Sequence, residues 1–231
     1  MLKKKNLWRN LWNNLSNKGE FTSMGRSSYS VQNFFKYSID TLENLRPINK
    51  NTIFLDCGGG TGLYSWFLYP FVKKIYLIDF SNQMINLAKK RFKNQKKIKL
   101  HVKDVRNIKF NNKIKFDRII FGSVLQYLND YSEIDKIFLN LKGLTKKNSK
   151  ILFTHNPDVL KKRKHINSYK KLRWGKKRLS KSLKSEEERF WIDFNKIKKL
   201  ALKNGFKIEN KIKIAKSLYG NTHMFDFLIY R

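Results

Sequence analysis

The chain has 231 residues, enough for one sizeable domain and too few for two ordinary ones, and its 41% apolar content supports a packed core. No apolar run is long enough to span a bilayer, Met1 to Gly19 lacks the apolar stretch of a secretory signal, and the single cysteine, Cys57, cannot form an internal disulfide. These features point to a soluble, cytoplasmic protein of a reducing compartment. Lys and Arg number 51 against 17 Asp and Glu, a net charge of +34. Such a surface is either an electrostatic footprint for an anionic partner or the mark of an AT-rich genome, which also enriches Asn and Ile over Ala.

Residues 2–18 place Leu7, Leu11 and Leu15 at helical spacing, with Trp8 and Trp12 beside them and five basic residues but no acid. This pattern suits a helix that caps the core, covers a substrate or lies on a membrane surface. A second helix is expected from Ser30 to Leu45, ended by Arg46-Pro47. Residues 1–50 thus read as a helical cap or lid.

From residue 51 a strand–helix rhythm begins. Strands are expected at Thr52–Asp56, Lys74–Asp79, Lys97–Val102 (near an edge, from its alternation), Phe116–Phe121 and Lys150–His155. Helices are expected at Leu63–Phe71, Gln83–Phe92 and Ser132–Leu144. Residues 156–188 are basic and weakly periodic and read as an insertion; within it, Lys161 to Lys184 holds twelve basic residues and no acid. Trp191–Lys203 is a helix closed by Asn204-Gly205, and Phe206–Ile214 with His223–Tyr230 forms a terminal hairpin around Gly220-Asn221. Alternating strands and helices imply right-handed crossovers and a mostly parallel sheet of about seven strands, with helices on both faces.

The first strand runs into Asp56-Cys57-Gly58-Gly59-Gly60-Thr61-Gly62. Glycines there let a ligand approach the backbone, and the following helix offers unpaired N–H groups. The spacing is not that of a dinucleotide fingerprint, because Leu63 or Ser65 occupies the third small position. It reads instead as D-x-G-x-G-x-G. Asp79 ends the second strand, where an acid can accept ribose hydroxyls, and Asp104 follows the third. An acid closes each of three successive strands in a chain with few acids.

With these residues the chain resembles the class I S-adenosylmethionine-dependent methyltransferases, from about Asn51 to Arg231. The resemblance implies a Rossmann-like fold with S-adenosyl-L-methionine as cofactor. It implies that Asp56 orients the glycine loop and the methionine ammonium, and that Gly58, Gly60 and Gly62 lie under the cofactor. Asp79 would hold the ribose and Asp104 the adenine amine, with Ser123 and Leu125 lining the site after the fourth strand. Arg26 and Tyr29, just before the core, would touch the methionine carboxylate or the acceptor.

Methyl transfer from a sulfonium needs mainly proximity, orientation and water exclusion, with a general base where the acceptor is a hydroxyl. His155, at the end of the fifth strand, and His223, at the start of the last, are the candidate bases. No metal-ligand spacing is present. The turn after the fourth strand, Phe121-Gly-Ser-Val, lacks the motif of base-amine methylation, and Cys57, inside the glycine loop, is not placed as a pyrimidine nucleophile. The expected acceptor is therefore an O or N atom of a small-molecule or glycan-type compound, anionic if Arg163, Lys164 and their basic neighbours form a lid over it. The alternative is RNA, with the 161–184 segment gripping phosphates.

Overall fold

A computed structural model describes residues 10–14, 31–111, 113–216 and 220–231. Helix α1 (Val31–Glu43) precedes the core. Five strands then alternate with helices: β1 (Ile53–Cys57), α2 (Leu63–Leu68), β2 (Lys74–Asp79), α3 (Asn82–Arg91), β3 (Ile98–Val102), β4 (Phe116–Gly122), α4 (Tyr131–Leu144) and β5 (Thr145–Pro157). Helices α5 (Lys162–Lys170) and α6 (Lys176–Glu188) follow, then α7 (Phe194–Lys203), β6 (Lys207–Ile208), β7 (Ile212–Lys213) and β8 (Met224–Tyr230). Among the described residues no helix is long and apolar enough to cross a membrane.

The sheet order is β3-β2-β1-β4-β5-β8-β6, with β7 also paired to β8. The first five strands are parallel and β8 runs antiparallel to β5. Side-chain alternation builds a core on each face. Leu55, Cys57, Ile119, Phe121 and Phe153 pack with α4 and α7 on one side; Phe54, Ile75, Ile120 and Leu152 pack with α2 and α3 on the other. The chain reverses order between β1 and β4, and a crevice opens at the C-terminal strand ends beside such a switch point.

Three expectations are corrected. The expected strand Phe206–Ile214 is interrupted: β6 pairs Ile208 with Ile229 and β7 pairs Ile212 with Asp226, so the register slips by one across residues 209–211. The expected helix Trp191–Lys203 starts later, because Asp193 caps it by accepting from Asn195 N–H at 2.8 Å, and Trp191 turns into the interior. The basic insertion, read as weakly periodic, folds as the helical pair α5 and α6. The reason is a buried polar centre. The carboxylate of Glu186 accepts from Arg189 (2.8 Å) and Tyr169 (3.4 Å) and lies 3.5 Å from His165 Nε2, while its carbonyl accepts from Trp191 Nε1 (2.9 Å). A single acid thus anchors two helices whose other charges face water.

Candidate active site

The glycine turn leaves β1 and is tied to β2. Gly58 and Gly59 N–H groups donate to Ile78 C=O at 2.8 and 3.1 Å, and Gly60 N–H donates to Asp79 Oδ2 at 3.0 Å. Two of the glycines are needed for different reasons. Gly62 has φ +86°, and a Cβ there would sit 2.4 Å from the Phe92 ring and 2.9 Å from Leu77. Gly60 has φ +56°, yet a Cβ there would meet nothing within 4 Å. Gly62 is enclosed by the core, whereas Gly60 faces open space. At the other wall, Gly58 comes so close to Val124, just past β4, that a Cβ would lie 2.4 Å from Val124 Cγ2.

Asp56 is buried (1% exposed) under this turn. Its Oδ2 accepts from Ser65 Oγ at 2.7 Å, while Oδ1 is buried and has no hydrogen-bond partner among the described residues. Burial pushes the carboxyl up to about 7, although hydrogen bonds from Ser65 pull it down. Asp79 accepts from Gly60 N–H and from Ser81 N–H (2.8 Å), and burial raises it to about 6. Two acids thus lie against one glycine turn, each destabilised in its charged form by burial.

Asp104 caps the short turn Val105–Asn107 by accepting from Arg106 N–H. Its two oxygens also accept from Arg106 Nε at 2.8 Å and Nη2 at 2.5 Å, and Arg106 bridges onward to Glu133. An adenine amine would have to share this carboxylate with a guanidinium. Ser123 stands just past β4 with φ +61°, its N–H donating to Thr154 C=O at 3.1 Å. Leu125, expected to line the site, is instead 1% exposed and packed in the core, because the chain turns inward through Leu125–Tyr127.

His155 lies on β5 at φ +54°, where the pairing with β8 shifts register between Phe153 and Asn156. Asp226 Oδ1 accepts its backbone N–H at 2.6 Å, and Tyr37 Oη lies 2.6 Å from its Nδ1. The sequence reading missed Tyr37 and Asp226. Tyr37 gives no signal within α1, but Asp226 does: it is a lone acid in the apolar strand Met-Phe-Asp-Phe-Leu-Ile. Ser65, the partner of Asp56, was also missed, since nothing in a short helix marks which residue faces inward.

His223 does not suit the role of base. Its ring is buried and stacks on His165 at 3.6 Å, with Trp191 nearby. Burial, helped by His165 and Arg189, drives it down to about 3, so the ring stays neutral near pH 7 and accepts a proton poorly. It joins the insertion to the strand edge. Arg163 and Lys164 lie exposed on α5. Arg26 and Tyr29 lie outside the described residues. Of residues 2–18, the described 10–14 are helical; Ser81 Oγ donates to Asn13 Oδ1 at 2.7 Å and Trp12 meets Tyr127 edge to face at 5.7 Å. This segment therefore crosses from the end of β2 to the chain beyond β4.

Residues 55–153 match the family described as a methyltransferase domain. Over that stretch, from β1 into β5, the chain is similar to a methyltransferase domain. Its fold is shared with an S-adenosylmethionine-dependent methyltransferase from Clostridium acetobutylicum (18% identity, 91% of this chain and 95% of that one, TM-score 0.65). It is shared also with the N-methyltransferase NodS of Bradyrhizobium japonicum (14% identity, 87% and 86%, TM-score 0.60). A third is phosphoethanolamine N-methyltransferase 1 of Haemonchus contortus (15% identity, 98% of this chain but 48% of that one, TM-score 0.75). No curated protein matches the sequence.

The residues present fit the methyltransferase cofactor. The unpartnered Asp56 Oδ1 can receive an ammonium, and the open face of Gly60 leaves room beside Asp79. A pH effect follows. Because folding raises the Asp56 pKa from 3.8 to about 7, the folded protein binds that proton more tightly than the unfolded chain. The contribution of Asp56 to stability without ligand is then fully present below about 4 and is lost as pH rises toward about 7. An ammonium beside Asp56 reverses this preference. S-adenosylhomocysteine, which carries the same ammonium, is expected to bind more tightly at about pH 8 than at about pH 6 and to release protons near neutrality. Calorimetry in buffers of different ionisation enthalpy measures the release. Asp79, at about 6, adds to it below neutrality, so Asp56→Asn should abolish the component nearest pH 7.

Proposed function

We propose that the chain transfers a methyl group to an oxygen or nitrogen atom of a small, anionic acceptor. The observation that carries this reading is the meeting of two sets of residues at the C-terminal edge of the sheet: the acid-lined glycine turn, and His155 held between Tyr37 and Asp226. The cofactor supplies an activated methyl on a sulfonium, displaced in line by the acceptor.

In this reading Asp56 binds the ammonium and Asp79 the ribose hydroxyls, while the glycine turn admits the ligand against its backbone. Ser123 and Gly58 with Val124 form the opposite wall. His155 serves the acceptor. In the tautomer whose Nδ1–H donates to Tyr37 Oη, the ring's Nε2 carries the lone pair that takes the proton of a hydroxyl or amine as the new bond forms. Asp226 fixes the left-handed backbone that aims the ring. The segment 10–14, with Trp12 and Asn13 lying across the strand ends, acts as part of a cap that excludes water. The relatives named as N-methyltransferases, one bound to phosphoethanolamine, are in keeping with a small phosphorylated acceptor. Among the acceptor's expected contacts, Arg163 and Lys164 would meet its anionic group as it enters.

The test is transfer of labelled methyl from S-adenosylmethionine into a cell extract, then separated into RNA, lipid or glycan, and small-molecule fractions, with Asp79→Ala as the blank. Label in the small-molecule or glycan fractions is expected. Label confined to RNA and removed by ribonuclease would overturn the reading.

A further inference from the structure

The surface of α5 and the turns at its two ends combines charge with exposed apolar side chains. Val159 and Leu160 stand just before the helix, and Leu160 is 81% exposed; Leu172, just after it, is 40% exposed. Around them Lys161, Arg163, Lys164, Lys170, Lys171 and Arg173 are all exposed. A surface groove of about 400 Å³ runs along the helix, lined by Val159 and Ile166 together with Lys162, Arg163 and Asn167. An apolar floor beside cationic walls matches a phosphate headgroup with an acyl chain beneath it.

The same observations disfavour single-stranded RNA. Base stacking needs aromatic faces open to a partner. The two aromatics of this segment are engaged: Tyr169 packs on His165 at 5.0 Å and points its hydroxyl at Glu186, and Trp174 lies between Tyr169 and the Arg178 guanidinium, 4.3 Å from its ring. What remains outward is aliphatic and cationic, the combination that enters the headgroup region of an anionic bilayer.

We propose that this face is a peripheral docking surface for anionic lipid, with Leu160 and Val159 entering the interface and the basic side chains neutralising headgroups. Val159 lies four residues beyond His155, and its N–H donates to Ile192 C=O at 3.0 Å, so the surface is fixed to the strand edge that carries the site. Docking there sets the site entrance against the bilayer. The proposal does not depend on the acceptor, and it is tested without turnover.

The experiment is co-flotation of the full chain with vesicles of phosphatidylglycerol and phosphatidylcholine, against pure phosphatidylcholine, at low and near-physiological salt. Because the whole protein is basic, the control carries the same charge loss elsewhere: Lys90, Lys93, Lys96 and Lys99 changed to Gln. The test variant changes Lys161, Lys170, Lys171 and Arg173 to Gln, and a second changes Leu160→Ser. Binding only to the anionic vesicles is expected. The loss should be about tenfold or more for the first variant and about tenfold, persisting at the higher salt, for Leu160→Ser, with the control within about twofold of wild type. Equal loss in control and test variants would overturn the proposal, as would Leu160→Ser binding like wild type. Structured RNA that binds more tightly than vesicles and is indifferent to Leu160 would replace lipid with nucleic acid.

Discussion

Gly62→Ala is expected to destabilise the fold by about 2–5 kcal/mol. The left-handed backbone at φ +86° costs an L-residue about 1–2 kcal/mol. The added methyl meets Phe92 at 2.4 Å and Leu77 at 2.9 Å inside the core, and overpacking of that kind costs about 1–3 kcal/mol more. Urea unfolding should show the midpoint fall with an unchanged slope. Gly60→Ala is the informative partner. Its backbone carries a similar strain but its Cβ meets no atom of the described residues. That variant should lose no more than about 1–2 kcal/mol of stability, the backbone part alone, while its methyl intrudes where the ligand approaches and S-adenosylhomocysteine binding collapses. Equal stability losses in the two variants would show that enclosure at Gly62 has no energetic weight.

Asp79→Ala is expected to weaken S-adenosylhomocysteine binding by about ten- to a hundredfold, the range for losing hydrogen bonds to a charged group. Two effects combine. In the proposed role the ribose loses its acceptor, and Gly60 N–H loses the carboxylate that holds the turn in place. The control is Ser81→Ala. Ser81 Oγ caps α3 by accepting from Met84 N–H at 3.2 Å, so its loss costs about 1 kcal/mol of stability without removing a ligand contact. Calorimetry on both variants separates the cases. If Asp79→Ala, folded by circular dichroism, binds as tightly as wild type, the ribose role assigned to Asp79 fails.

Three of the parallel strands, β1, β2 and β4, were legible because they are short apolar runs ending near an Asp or Gly, and a strand buried on both faces leaves that pattern wherever it lies. The glycine turn was legible for a related reason: it is local, and its spacing is set by a ligand approaching the backbone. The helical pair of the insertion was not legible. Every charged side chain of the two helices except Glu186 is exposed or half-exposed, as in any solvated run; the order comes from Glu186 meeting Tyr169, His165 and Arg189, which lie 3 to 21 residues away.

The histidines show the same divide. By position His155 and His223 are equivalent, one at the end of β5 and one at the start of its antiparallel neighbour. Tertiary packing separates them. His155 is bent out of strand geometry and held by Tyr37, 118 residues away, and Asp226, 71 residues away. His223 is stacked against His165 and stripped of its basicity. Likewise Asp104 sits at the expected strand end, but Arg106 two residues on has taken its carboxylate. The sequence by itself determined the order of elements, the cofactor turn and the acids that close the strands, because each is written in a few adjacent residues. Only the tertiary structure decided how each histidine is held, which acids are already paired and which cationic face carries exposed leucines. Protonation, pairing and exposure depend on what distant segments bring alongside each group, and burial changes the energy of a charge more than its local sequence does.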